Sequence, residues 1–392
     1  MQAQVIVAAC RTPVGKFGKS LVGVHAARLG AIVVRESIER SGLGPEDVEE
    51  VIMGNVISAG LGQNVARQAA IYAGVPVSVG SFSVNKVCGS GLKSVMLAAQ
   101  AIKAGDQDIV VAGGTENMSN APYLDRKMRW GSRYGEAKLE DSILVDGLWD
   151  GYNDFQMGMT GERVAEKYGV TRKQADTYAF ESYSKAAKAQ KEGKFKQEIV
   201  SVELERGGGF EEFEVDECIR PDTTLEALAR LKPAFKADGI LTAGNSSQLS
   251  DGACALVLAS EDAAARRSLK PLAKVVAYAT GGTKPEDVME APIPTVRGLL
   301  KKTGVSMDEI DLVEHNEAYS TASIVVRDQL GIPEERFNVN GGAVALGHPL
   351  GCSGARILTT LIHEMRRSGK KRGLATLCLG GGNAVAMLIE SC

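Results

Sequence analysis

Ser41-Gly-Leu-Gly-Pro-Glu-Asp-Val-Glu-Glu-Val51 is answered, 262 residues later, by Thr303-Gly-Val-Ser-Met-Asp-Glu-Ile-Asp-Leu-Val313. In both copies a glycine closes a helix-like segment, an acidic turn follows, and an apolar run of strand length comes next. At nearly the same offset, Ser90-Gly91 opens one amphipathic helix and Ser353-Gly354 opens another. In the first, Leu92, Val95, Met96, Ala99 and Ile102 fall on one face and Gly105 is placed to end it. The second carries the stripe Ile357, Leu358, Leu361, Ile362 and Met365, followed by Arg366, Arg367 and Gly369. Around these helices, apolar runs at 5–9, 108–112, 253–259, 272–279, 374–379 and 384–389 are nearly continuous in Val, Ile, Leu and Ala, as strands buried on both faces require. The repeat predicts an α/β protein of two similar halves, 1–118 plus 251–270 and 271–392. Between them, 119–250 is more polar, with charge-rich stretches at 123–138 and 185–214. It reads as an inserted loop domain that carries substrate contacts on a rigid scaffold.

Composition narrows the function. At 392 residues the chain exceeds one hydrophobic core. Its 44% apolar and 24% charged residues are those of a globular protein. Lys plus Arg total 45 against 48 Asp plus Glu, a balance that gives no reason to expect nucleic acid or an anionic membrane as partner. No stretch approaches the roughly 20 apolar residues of a membrane span, and the N-terminal apolar run is too short for a signal peptide. Seven cysteines, an odd number without a C-x-x-C pair, read as reduced thiols of a cytoplasmic protein.

Several common sites are excluded. Gly15-Lys-Phe-Gly18-Lys19-Ser20 has two residues between its glycines where a phosphate-binding loop needs four, and Gly60-Leu-Gly62 lacks the third glycine of a dinucleotide fingerprint. The four histidines show no metal-ligand spacing, so no metal is expected. Glu116 and Glu317 lack a carboxylate companion for glycoside chemistry.

Four segments remain as candidates for chemistry. Asn85-Lys-Val-Cys88-Gly89-Ser90-Gly91 places a cysteine at a strand-to-helix junction, where the helix dipole lowers a thiol pKa and flanking glycines admit a substrate. Asn340-Gly-Gly-Ala-Val-Ala-Leu-Gly347-His348-Pro349 holds one histidine in a rigid turn, suited to a general base of near-neutral pKa. Leu377-Cys378-Leu379-Gly380-Gly381-Gly382 sets a cysteine at a strand end beside glycines whose N–H groups suit an oxyanion hole. His315-Asn316-Glu317-Ala318-Tyr319 ends another strand, with Asn316 able to orient a water.

These four segments resemble the signature blocks of the thiolase family, the acetyl-CoA C-acetyltransferases and 3-ketoacyl-CoA thiolases. The likeness spans the chain, from Arg11-Thr-Pro-Val-Gly through Ala112-Gly-Gly-Thr-Glu-Asn-Met-Ser119, Arg220-Pro-Asp-Thr-Thr-Leu-Glu and Asp238-Gly-Ile-Leu-Thr-Ala-Gly-Asn-Ser-Ser247 to the C-terminal glycine-rich strand. It implies the five-layer α/β/α/β/α thiolase fold of two halves plus a loop domain. It also implies reversible Claisen condensation of two acetyl-CoA to acetoacetyl-CoA and CoA, with thiolysis of 3-ketoacyl-CoA in reverse, by a ping-pong route. In this resemblance Cys88 matches the acylated nucleophile, His348 its base and Cys378 the second acid/base. Asn316 matches the holder of an oxyanion-hole water, while the N–H groups of Cys88 and Gly380 match a second oxyanion hole. Arg220, Ser247, Ala318 and Met157 match coenzyme A contacts. The family carries no permanently bound cofactor, takes CoA thioesters as substrates, and forms homodimers or homotetramers, with 123–138 as a tetramer contact.

One departure stands out. Gln156-Met157-Gly158 replaces the His before Met-Gly found in many acetyl-specific members, leaving a longer-chain 3-ketoacyl-CoA thiolase as the alternative. A decarboxylating ketoacyl synthase needs no second catalytic cysteine, and a non-catalytic CoA- or lipid-binding relative is expected to lose reactive groups, whereas none is missing here.

Overall fold

The computed structural model describes residues 2–392. One long sheet runs in the order Gly80–Val84, Glu50–Gly54, Ile109–Asn117, Ser250–Ser260, Gln4–Arg11, Ala273–Gly282, Asn383–Ser391, Arg372–Leu379, Leu312–His315, with the short strand Gly15–Lys16 paired to Ser250–Ser260. Its middle is a seam. Gln4–Arg11 and Ala273–Gly282 meet antiparallel through Val5–Lys274 and Ile6–Ala273. Outward from the seam each half repeats the same pairings: antiparallel, antiparallel, then parallel. Matching bulges interrupt the first pairing of each half, between Ile6 and Ala8 and between Val275 and Ala277. The last strand of the first half, Gly80–Val84, has as its counterpart only a parallel bridge between Val313 and Phe337.

The sequence repeat is thus a structural one, down to its turns. Gly42 and Gly304, at φ 81° and 71°, end the helices Ala26–Ser41 and Pro292–Thr303 in the left-handed conformation that glycine adopts without strain. Each is followed by a single 3-10 turn, Pro45–Asp47 and Met307–Glu309. These are capped by carboxylates that accept from the backbone N–H of Gly44 and of Ser306, both at 2.9 Å.

The helices Ser90–Ala104 and Leu350–Ser368 pack on each other between the two half-sheets. Ala26–Ser41 and Val65–Ala73 cover the outer face of one half, Pro292–Thr303 and Ser320–Leu330 that of the other. Period-two alternation sorts the strand residues between layers: Val110 and Ala112 join Met96 and Leu358 inside, while Ile109 and Val111 join Val33 and Ile38 outside. The result is the five-layer α/β/α/β/α arrangement. The second inner helix begins at Leu350 rather than at Ser353-Gly354, because Pro349, at φ −68°, leads the chain directly into it. The repeated glycines then serve another purpose. A Cβ on Gly354 would lie 2.4 Å from Leu92 N, and one on Gly91 would lie 2.8 Å from Ala355 N, so the two inner helices touch backbone to backbone near their N-termini. That contact brings the loops ahead of both helices together.

Residues 119–250 contribute three small ribbons and the helices Gly158–Tyr168, Arg172–Lys191 and Leu225–Ala229. Buried Arg11, on the first strand, pins this segment. Its Nε donates to Glu198 Oε1 at 2.6 Å, and its two terminal nitrogens donate to Asp216 at 2.7 and 2.9 Å. No helix among the described residues is long and apolar enough to cross a membrane.

Candidate active site

Cys88 occupies the turn between the strand Gly80–Val84 and the inner helix Ser90–Ala104. Val87, just before it, has φ 47°, a left-handed conformation that is costly for a β-branched residue. Side chains fix it there. Asn85 Oδ1 accepts from Val87 N at 3.0 Å, while Ser90 Oγ donates to the Val87 carbonyl at 2.6 Å and accepts from Lys86 N at 2.8 Å. The turn leaves the Cys88 sulfur within reach of two backbone N–H groups, its own and that of Gly380. Even so, burial pushes the thiol up to about 12 and outweighs those donors. The expectation of a thiolate made by the helix terminus is therefore corrected: the resting group is a thiol, and it needs a base.

His348 stands just ahead of the other inner helix and is buried. Its Nδ1 lies 2.5 Å from Ser353 Oγ, whose own hydrogen goes to the Pro349 carbonyl at 2.8 Å. Ser353 must then accept from Nδ1–H, which assigns the imidazole proton to Nδ1 and leaves Nε2 with its lone pair. Asn316 Nδ2 lies 3.3 Å from that Nε2, and Asn316 Oδ1 is buried with no hydrogen-bond partner among the described residues. Burial, helped by the positive charge of Arg356, lowers His348 to about 3, not the near-neutral value expected from the sequence. The ring is a neutral proton acceptor throughout the physiological range.

Cys378 is the next-to-last residue of the strand Arg372–Leu379. It is buried, its Sγ donates to Met289 Sδ at 3.7 Å, and burial together with the neighbouring Cys88 raises its thiol to about 12. Cys88, His348, Cys378, Gly380, Met157, Ser247 and Ala318 all line one small cavity of about 40 Å³, closed by Met289, Val288 and Tyr319. Asn316 joins through His348. A larger, mostly apolar cavity of about 510 Å³ adjoins it, sharing Leu148, Ser247, Tyr319 and His348 as a partition. Arg220 lines this second space, its Nη2 donating to Gln248 Oε1 at 2.9 Å and its guanidinium 5.9 Å from the Tyr183 ring; Gln156 lines it too. All nine residues singled out from the sequence fall in or beside these two adjoining spaces.

Three supporting residues were not legible as such. Ser353 sets the His348 tautomer from inside a helix, where a serine carries no distinguishing signal. Glu116, set aside as a lone carboxylate, is buried and accepts from the N–H groups of Val56, Ile57 and Gly351 and from Asn55 Nδ2, at 2.8–3.1 Å; it ties the start of the His348 helix to the other half. Glu317 accepts from Tyr178 OH, Ser182 Oγ, Asn338 Nδ2 and Val344 N, which locks the Asn316 strand end to the loop leading into His348. Neither carboxylate carries a local signal, because its donors come from segments distant in sequence.

The arrangement offers two thiols, a neutral imidazole and a pair of backbone donors around a space for a very small group. Comparison with known proteins agrees with it. Residues 4–262 match the model of the thiolase N-terminal domain, and residues 269–391 that of the thiolase C-terminal domain. The chain is 51% identical to the acetyl-CoA acetyltransferase of Pseudomonas aeruginosa over 390 residues, 99% of each chain. It is also 51% identical to that of Cupriavidus necator over 387 residues, 98% of each. The crystal structure of the Bacillus anthracis acetyl-CoA acetyltransferase superposes with a TM-score of 0.98 at 41% identity, covering 100% of this chain and 99% of that one.

Proposed function

The chain belongs to the thiolase family, and on that premise we propose that it is an acetyl-CoA acetyltransferase, condensing two acetyl-CoA to acetoacetyl-CoA and CoA and running the reverse thiolysis. The proposed cycle begins with His348 Nε2 taking the proton of Cys88. The thiolate attacks the acetyl thioester, and the oxyanion that forms is held by the N–H groups of Cys88 and Gly380. CoA leaves with the proton from His348, and acetyl-Cys88 remains. Cys378 then gives its own proton to His348 Nε2 and, as a thiolate, takes one from the methyl of the second acetyl-CoA. The enolate oxygen accepts from the protonated His348 Nε2 and from a water held by Asn316. The enolate carbon attacks acetyl-Cys88, and the departing sulfur takes its proton back from His348, leaving Cys378 as a thiol.

The electrostatics support this order. Burial and the neighbouring Cys88 both raise Cys378, so the two thiols do not ionise together, and acylation of Cys88 removes that competition.

The observation that carries the acetyl reading is the size of the space between the two thiols. At about 40 Å³ it has room for about three water-sized groups, taking roughly 10–15 Å³ for each, and an acetyl group has three heavy atoms. In this reading the larger cavity receives the rest of the thioester, with Ser247, Met157 and Ala318 along the acyl arm and Arg220 toward the nucleotide, where a guanidinium pairs with phosphate or stacks on a base. In the same proposal the two halves and the inserted 119–250 loop domain act as scaffold and CoA-binding module of a cytoplasmic homodimer or homotetramer that takes acetyl-CoA, CoA and 3-ketoacyl-CoA as substrates without a permanently bound cofactor.

Thiolysis of acetoacetyl-CoA compared with 3-ketoacyl-CoAs of six to ten carbons is the test. Acetyl preference requires kcat/KM to fall with each added carbon pair. A flat or rising series favours the longer-chain thiolase, with Met157 and Met289 yielding space to the chain.

A further inference from the structure

The oxyanion hole assigned above is assembled from two separate loops. One donor, Cys88 N–H, belongs to the turn that opens the first inner helix; the other, Gly380 N–H, belongs to the turn between the strands Arg372–Leu379 and Asn383–Ser391 of the opposite half. Their separation is therefore set by contacts across the loop interface, not by the chain. Within its own turn Val87–Cys88 is held by Asn85 and Ser90, which fix it only relative to its own helix. Across the interface, the apolar contacts are Gly89 against Leu379 and Val87 against Gly380; a Cβ on Gly89 would lie 2.2 Å from Leu379 Cδ2, and one on Gly380 would lie 3.4 Å from Val87 Cγ1. One polar contact crosses as well: Lys86 Nζ donates to Asn383 Oδ1 at 3.0 Å. The same Asn383 side chain donates from Nδ2 to the Gly381 carbonyl at 3.2 Å, inside the turn that begins with Gly380. Lys86, Asn383 and Gly381 thus form a three-membered strap from the residue two before the nucleophile to the residue one after the second donor.

We propose that Lys86 and Asn383 are positioning residues that hold the Cys88 and Gly380 N–H donors at the separation an oxyanion requires. The chemistry of the pair fits that task. An amide accepts the lysine bond without placing a carboxylate beside the site where negative charge develops. The strap needs no contact with substrate. It acts by limiting the motion of one strained turn against another, where a displacement of about 1 Å costs roughly a hundredfold in rate.

The inference rests on the reading that acetyl-Cys88 is the intermediate and is tested by kinetics on the full chain. Lys86→Met and Asn383→Ala should each lower the rate constant for acetylation of Cys88, and kcat for thiolysis of acetoacetyl-CoA, by roughly tenfold to a hundredfold. KM for CoA should stay within about twofold, since no binding contact is lost. Lys86→Arg, which keeps a donor, should restore most of the rate. The double variant should be no slower than the slower single one, because both break the same strap. The inference is overturned if both single variants acetylate Cys88 at the parental rate, if their losses multiply, or if KM rises in step with the fall in kcat. Should Asn383→Ala fail to fold, Lys86→Met carries the test alone, since its side chain is only half-buried. Cys88→Ala separates the two levels: turnover retained there overturns the assignment of the intermediate, whereas a dead Cys88→Ala with a fully active Lys86→Met overturns the strap alone.

Discussion

Replacing Ser353 by Ala tests how the base is prepared. In the native site Nδ1–H of His348 is donated to Ser353 Oγ at 2.5 Å, in a setting sealed from solvent. Alanine leaves two options. If the proton stays on Nδ1, a buried donor is unpaired at a cost of about 1–3 kcal/mol. If it moves to Nε2, the ring avoids that cost but loses the lone pair that must accept from Cys88. Either way the reactive tautomer is disfavoured by the same amount, which at about 1.36 kcal/mol per factor of ten lowers the rate of acetyl transfer roughly five- to 150-fold. Stability should fall by only about 1 kcal/mol, for the lost bond to the Pro349 carbonyl. Quench-flow mixing with acetyl-CoA, followed by intact-protein mass, measures the acetylation rate directly, and denaturant unfolding measures the stability. A folded Ser353→Ala variant that acetylates as fast as the parent would refute the tautomer argument.

Arg11→Ala should be the most destabilising of the variants considered, by about 3–5 kcal/mol, because it leaves Glu198 and Asp216 buried without their partner; urea unfolding monitored by circular dichroism would show it. Arg220→Ala should raise KM for CoA thioesters while leaving acylation by short thioesters without the nucleotide nearly unchanged, and equal losses on both would make the residue structural. The pH profile follows from the directions of the shifts. His348, lowered to about 3, stays unprotonated and competent as pH falls through 6.5, and Cys88, raised to about 12, stays protonated as pH rises through 8.5. The pH dependence of kcat/KM for acetylation should therefore be flat from about pH 6 to 8. An inflection at pH 6–7 that vanished on substituting His348 would contradict the neutral-imidazole assignment.

What the sequence discloses and what it hides divide along a physical line. Backbone requirements are written locally. Gly42 and Gly304 mark left-handed caps, the turn residues 45–47 and 307–309 recur in both halves, and continuous apolar runs mark strands with two covered faces. The repeat was therefore enough to expect two similar halves, and the glycine- and proline-framed turns around Cys88, His348 and Cys378 stood out as candidates. Burial is not written locally. Helix position alone suggested a lowered thiol pKa at Cys88, but the surrounding layers raise it. Nothing in a helical stripe separates Ser353 from any other serine, and nothing at 116 or 317 foretells that these carboxylates gather donors from distant loops and helix starts. The start of the second inner helix is hidden for a related reason: the parallel with Ser90-Gly91 places it at Ser353-Gly354, whereas Pro349 starts the helix earlier.

Division of labour between the two thiols is the centre of the account, and the Cys378→Ala variant interrogates it most directly. Mixed with acetyl-CoA alone, this variant should release one equivalent of CoA in a burst, and a peptic digest should place a single acetyl group on Cys88. Steady-state condensation and thiolysis should both fall by roughly a thousandfold or more, because a unit of catalytic groups has been broken. Turnover near the parental rate, or an acetyl group on any residue other than Cys88, would contradict it.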